Sequence, residues 1–96
     1  MEDVYKKYIA SLLERKYYVL QVGISPTTSA KKLIEDLIEQ IRIYMKHESE
    51  IGFDIFFHGF EKERAIIHLS MEGQRDLHKD YIMHIKDMLN IGFNNA

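Results

Sequence analysis

Apolar residues recur at helical spacing in three stretches of the chain and at strand spacing in three others. Val4, Tyr8 and Leu12, with Tyr5 and Ile9, lie three or four residues apart. Glu2 and Asp3 precede them, where a helix dipole favours negative charge, so a leading helix is expected to run to about Lys16. Residues 17–24, reading YYVLQVGI, are β-branched and aromatic and too few for a stable helix, which predicts a strand. A second helix then starts with Ser25 as cap and Pro26 in its first turn, or with Thr27 or Thr28 as a later cap. Its apolar stripe is Leu33, Leu37, Ile41 and Tyr44, widened by Ile34, Ile38 and Met45. Residues 52–58 and 64–69 are two strand-like runs joined by a short charged connection around Glu61-Lys62-Glu63, a hairpin of antiparallel partners. Ser70 is the expected cap of a last helix whose face is Leu77, Tyr81, Ile85 and Met88. That helix should end near Asn90, with Gly92 just beyond and residues 93–96 as a fraying tail.

The resulting order, α-β-α-β-β-α, is α+β and predicts a two-layer sandwich. Its stretch from Tyr17 to Phe93 resembles a ferredoxin-like split β-α-β layout, with an extra N-terminal helix and a fourth strand missing or reduced to Ile91-Gly92-Phe93. The resemblance is one of topology and implies a fold, since that layout hosts many unrelated functions. A chain of 96 residues holds one core, so residues 1–96 are expected to form a single domain. Nothing in the pattern indicates a repeat or a linker.

Strand alternation assigns Leu20, Val22, Ile24, Phe53, Ile55, Phe57, Ile67 and Leu69 to one side of the sheet, the core side. The other side then carries Tyr17, Val19, Gln21, Phe56, His58, Phe60, Ile66 and His68. This is too apolar and aromatic to be left in water without a reason. Three covers compete: the leading helix folding back, a second copy of the chain packing sheet to sheet, or nucleic-acid bases stacking on Tyr17, Phe56 and Phe60. The stacking alternative expects lysine or arginine on that face to follow phosphates, and none is assigned to it. His58 and His68 share the face at direct or diagonal spacing, which allows a two-histidine metal site, but half-buried polar residues on a sheet explain them more simply. His47, His78 and His84 have no histidine four residues away and read as solvent-facing or boundary residues.

Composition narrows the chemistry. Without cysteine there is no disulfide, thiolate nucleophile or Cys-ligated metal, which favours a reducing, cytoplasmic setting. The first residues lack the basic and apolar regions of a signal peptide, and no apolar run is long enough to span a bilayer. The glycines stand apart, so no phosphate-binding loop or dinucleotide turn can form, and no serine-nucleophile elbow or HExxH motif occurs. The expectation is a protein without enzymatic activity, metal or cofactor.

Charge is uneven. Residues 33–63 hold three bases against eight acids, whereas residues 1–32 hold six bases against three acids. Glu35, Asp36 and Glu39 put carboxylates on the exposed side of the middle helix at near phosphate spacing, with Glu48 and Glu50 following. Such a surface can occupy the basic cleft of a nucleic-acid-binding protein. Arg42 and Lys46 interleave the same face, as on an ordinary solvated helix. Ile43 points away from the apolar stripe among these carboxylates, and Met83 is displaced likewise on the last helix.

These observations lead to an expected protein-binding module, homodimeric, that inhibits or modulates another macromolecule through Glu35, Asp36, Glu39, Ile43, Glu48 and Glu50. The sheet face at Tyr17, Phe56, Phe60, His58 and His68 is a further interface. Small cysteine-free chains without catalytic motifs, phage-encoded ones among them, often act this way. The alternatives are a single-stranded nucleic-acid binder using the aromatic face, and a metal- or small-molecule-responsive domain around His58 and His68.

Overall fold

The computed structural model describes residues 3–6, 9 and 14–94. Residues 3–6 and 9 are helical. There follow β1 (Arg15–Gly23), α1 (Thr28–Glu48), β2 (Phe53–Glu61), β3 (Arg64–Glu72) and α2 (Arg75–Asn94). The fold is α+β, an open three-stranded antiparallel sheet in the order β1-β3-β2. Both helices bury side chains against one side of the sheet. Ile34, Leu37, Ile38, Ile41 and Met45 of α1 and Ile85 and Leu89 of α2 form one cluster with Leu20, Ile55, Ala65, Ile67, Leu69 and Met71.

Of the alternatives for the start of α1, Thr27 is the cap: its Oγ1 accepts the Ala30 N–H at 3.0 Å, satisfying a donor the first turn leaves free. The middle-helix stripe is buried or half-buried as its periodicity predicts. The β2–β3 hairpin is also as expected, with Lys62 at φ 57° in its tight turn.

Six boundaries or placements differ from the sequence reading. The leading helix does not reach Lys16, because Arg15 and Lys16 already pair with Glu72 and Met71 in the sheet. Tyr8 and Leu12 lie outside the described residues. Ser70 is not a helix cap; β3 is the central strand and is held from both sides as far as Glu72, so Ser70 stands opposite Tyr17 and Asp54. Residues 91–93 form no fourth strand, since α2 runs on to Asn94. Gly92 lies inside that helix: a Cβ there would meet Leu37 Cδ2 at 2.5 Å, so glycine permits α1 and α2 to approach instead of ending the helix.

Phe60 is the difference that matters most for function. A bulge shifts the register between Phe57 and Gly59, leaving His58 as the extra residue. Alternation therefore restarts one residue late. Phe60 pairs with Ala65 and packs on the core side, its ring edge-on to Phe57 at 5.2 Å. The last departure is on α2, where Leu77 is exposed and His78 takes its place inside.

Candidate interaction surface

The side of the sheet away from the helices is formed by alternate residues of three strands: Arg15, Tyr17, Val19 and Gln21 from β1; Arg64, Ile66, His68, Ser70 and Glu72 from β3; Asp54, Phe56 and His58 from β2. Tyr17 is 75% exposed, Val19 59% and Phe56 44%. Ile66, on the central strand, is buried among its neighbours. The described residues of the leading helix do not shield this face, and Val4, Tyr5 and Ile9 are themselves exposed. Between β1 and β2 the face is concave, with a volume of about 660 Å³ bordered by Arg15, Tyr17, Val19, Asp54, Phe56 and His68.

An aromatic row crosses this surface. The rings of His58 and His68 stack almost parallel, 4.5 Å apart at 5°, and Phe56 tilts against His68 at 5.0 Å. Parallel stacking sets the ring-nitrogen lone pairs in separate planes, so the two histidines as placed do not converge on one ion. Among the described residues no three His, Asp or Glu side chains gather as a metal site.

The face also holds two basic groups where the sequence pattern assigns none: Arg15, because β1 begins there, and Arg64, which shares the parity of Ile66 and His68 on β3. Both are engaged. Arg15 donates to Ser70 Oγ at 3.1 Å and pairs with Glu72 at 3.4 Å, and Arg64 donates to Gln21 Oε1 at 3.0 Å. With Asp54 and Glu72 alongside, the surface is apolar and mixed in charge, not a basic track.

Along α1, Glu35, Asp36 and Glu39 are exposed, as are Glu48 and, past the helix, Glu50. Ile43 is 51% exposed among them. Arg42 neutralises Glu39 at 3.2 Å, and among the described residues no cation pairs with Glu35, Asp36, Glu48 or Glu50 within 4 Å. The acidic helix face and the open sheet face lie on opposite layers, so the structure does not merge them into one site.

The remaining histidines are placed differently from one another. His47 is exposed, and His84 is exposed but stacks on Tyr44 at 4.2 Å. His78 is fully buried, contrary to the boundary position expected for it. Its Nε2–H donates to the Glu72 carbonyl at 2.8 Å, which leaves Nδ1 to accept the Tyr18 hydroxyl at 2.7 Å. This linkage fastens the start of α2 to β3 and β1, and the Arg75 guanidinium covers the Tyr18 ring at 5.9 Å. Sequence spacing held no sign of it, because Tyr18 and His78 are 60 positions apart.

Comparison with protein-family models, curated proteins and solved structures finds no match to the chain. Its function is therefore read from these surfaces. No helix among the described residues is long and apolar enough to cross a membrane.

Proposed function

We propose that the chain is a non-enzymatic, homodimeric protein-binding module whose open sheet face takes a macromolecular partner and so inhibits or modulates it. The observation that carries this reading is the exposure of Tyr17, Val19 and Phe56 around one concavity. Aromatic anchors within a polar rim are the usual composition of a protein interface. Arg15, Gln21, Asp54 and Glu72 supply that rim.

A protein partner fits better than a single-stranded nucleic acid. Binding to a single strand needs stacking rings together with several cations that track phosphates, and here Arg15 is paired with Glu72, which leaves Arg64, bonded to the neutral Gln21, to serve a face that also carries Asp54 and Glu72. The acidic side of α1 supports a second contact, with a basic partner such as a nucleic-acid-binding protein, because Ile43 offers an apolar anchor between carboxylates that mostly lack cations. The strand order β1-β3-β2 and the one-sided helices support reading the fold as a split β-α-β unit without its fourth strand, and we place the cysteine-free chain in the cytoplasm.

A photo-crosslinking side chain at position 17, and separately at position 35, tests the reading in an extract of the source cells. A protein adduct at position 17 that disappears in the Phe56→Glu background supports it. Adducts to nucleic acid at position 17, or none there while position 35 yields one, would replace the sheet face by the alternative concerned.

A further inference from the structure

The two outer edges of the sheet are unequal. In β2, the Glu72 N–H donates to the Gly52 carbonyl at 2.8 Å, which fixes the phase of the ladder: residues 52, 54 and 56 bond to β3 and residues 53, 55 and 57 turn outward. The outward carbonyl of Ile55 is occupied by Arg42 Nη2 at 2.7 Å, and the bulge at His58 then breaks the outward run. Bulges and covering side chains are how sheet edges are kept from pairing with other chains.

Among the described residues β1 has neither device. Gly73 N–H donates to the Glu14 carbonyl at 3.2 Å and Ile24 N–H to the Glu63 carbonyl at 3.0 Å, so the even-numbered residues bond to β3 and Arg15, Tyr17, Val19, Gln21 and Gly23 point their N–H and C=O groups outward. The register is unbroken over all nine residues of β1, with no proline. Along this edge α2 stands back to leave a groove of about 350 Å³, lined by residues 19–22 with Lys86, Leu89 and Asn90.

We propose that this edge is the dimer seam: β1 pairs antiparallel with β1 of a second copy about a twofold axis at Val19, making one six-stranded sheet. The inference rests on the self-association proposed above and names its site. The register Arg15 to Gly23, Tyr17 to Gln21 and Val19 to Val19 matches every outward N–H of one strand with an outward C=O of the other. It separates the two Arg15 side chains and sets each across Gly23 from Arg64 of the other copy. The two Arg15 side chains lie about 26 Å from each other, eight steps of ~3.3 Å, whereas a parallel alignment would set Arg15 and Lys16 beside their own copies. Glycine at position 23 leaves room for the incoming Arg15.

The helix above the edge points to the same occupant. Met83, 64% exposed, shares a stripe with Lys86 and Asn90, the residues bordering the groove. A twofold beside β1 brings the two Met83 side chains to one seam above the continued sheet. The open face stays free for its partner and is doubled.

Light scattering of the full chain, with amide hydrogen exchange, tests this. The expected mass is about 23 kDa, twice 11.4 kDa, with slow exchange at Tyr17, Val19 and Gln21. Val19→Pro removes a donor only from the outer side of β1 and is expected to weaken the dimer about 100-fold. Since proline can disturb the strand itself, Met83→Glu is the second variant. It changes an exposed side chain outside the ladder and is expected to weaken the dimer about 10-fold. A dimer unaffected by both variants overturns the edge. Loss of that dimer on Phe56→Glu instead moves the seam to the open face and leaves self-association standing. A wild-type chain of single mass, or a dimer with fast exchange at the outward amides, also overturns the proposal, and the single mass removes self-association with it.

Discussion

Tyr18 and Tyr17 are neighbours on one strand in opposite surroundings. Tyr18 is folded in, its hydroxyl on the buried His78 and its ring beneath Arg75, while Tyr17 beside it is mostly exposed to solvent. The contrast extends across the sheet. Leu20, Ile55, Ile67, Leu69 and Met71 are sealed by two helices, whereas Val19 and Phe56 on the reverse side have no cover among the described residues. The apolar content of the first side is explained by the fold alone. That of the second is not, and the functional reading grows from this remainder.

Substitutions on the two sides should separate accordingly. The largest effect is expected from Ile67→Ala, at the centre of the core side, which removes a fully buried side chain that cannot be replaced by collapse. It should cost about 2–5 kcal/mol in chemical denaturation, and a cost below about 1 kcal/mol would mean that the core is not packed as described. Next is His78→Leu. It fills similar space but leaves the Tyr18 hydroxyl and the Glu72 carbonyl without partners, so about 2 kcal/mol should be lost. Recovery of part of that loss in a Tyr18→Phe background would attribute it to the hydrogen bond and not to shape.

Gly59→Ala sharpens the boundary between the sides. Gly59 has φ 137°, a region that side chains rarely adopt, although the space around its Cβ position is open. A strain of about 1–3 kcal/mol is expected, together with loss of the Phe57–Phe60 ring contact in nuclear Overhauser spectra. An unchanged contact at no cost would show that the bulge does not depend on this glycine. The smallest effect on folding should come from Tyr17→Ala, within about 0.5 kcal/mol, since that side chain packs on little within the chain.

How much of this could be read from residues alone follows the same division. The stripe of α1, the hairpin, the shared face of Tyr17, Val19 and Phe56, and the outward placement of Ile43 and Met83 follow from periodicity, because each depends on spacing within one element. Strict alternation puts Phe60 on the wrong side because one extra residue at His58 reverses parity, and no local pattern marks a bulge. The end of β3 and the role of Ser70 depend on pairing with both flanking strands, and the burial of His78 depends on Tyr18, far away in sequence. Gly92 resembles a helix stop until Leu37 of the other helix is placed beside it. Tertiary partners, in each case, decide what local preference leaves open.

Radical footprinting read by mass spectrometry at Tyr17 and Tyr18 addresses the central contrast most directly, because the two residues differ in facing and not in chemistry. In the isolated protein Tyr17 should be oxidised much faster than Tyr18, and in an extract of the source cells the Tyr17 rate should fall several-fold while that of Tyr18 stays constant. Equal rates for the two tyrosines in the isolated protein, or a Tyr17 rate that the extract leaves unchanged, would contradict the account.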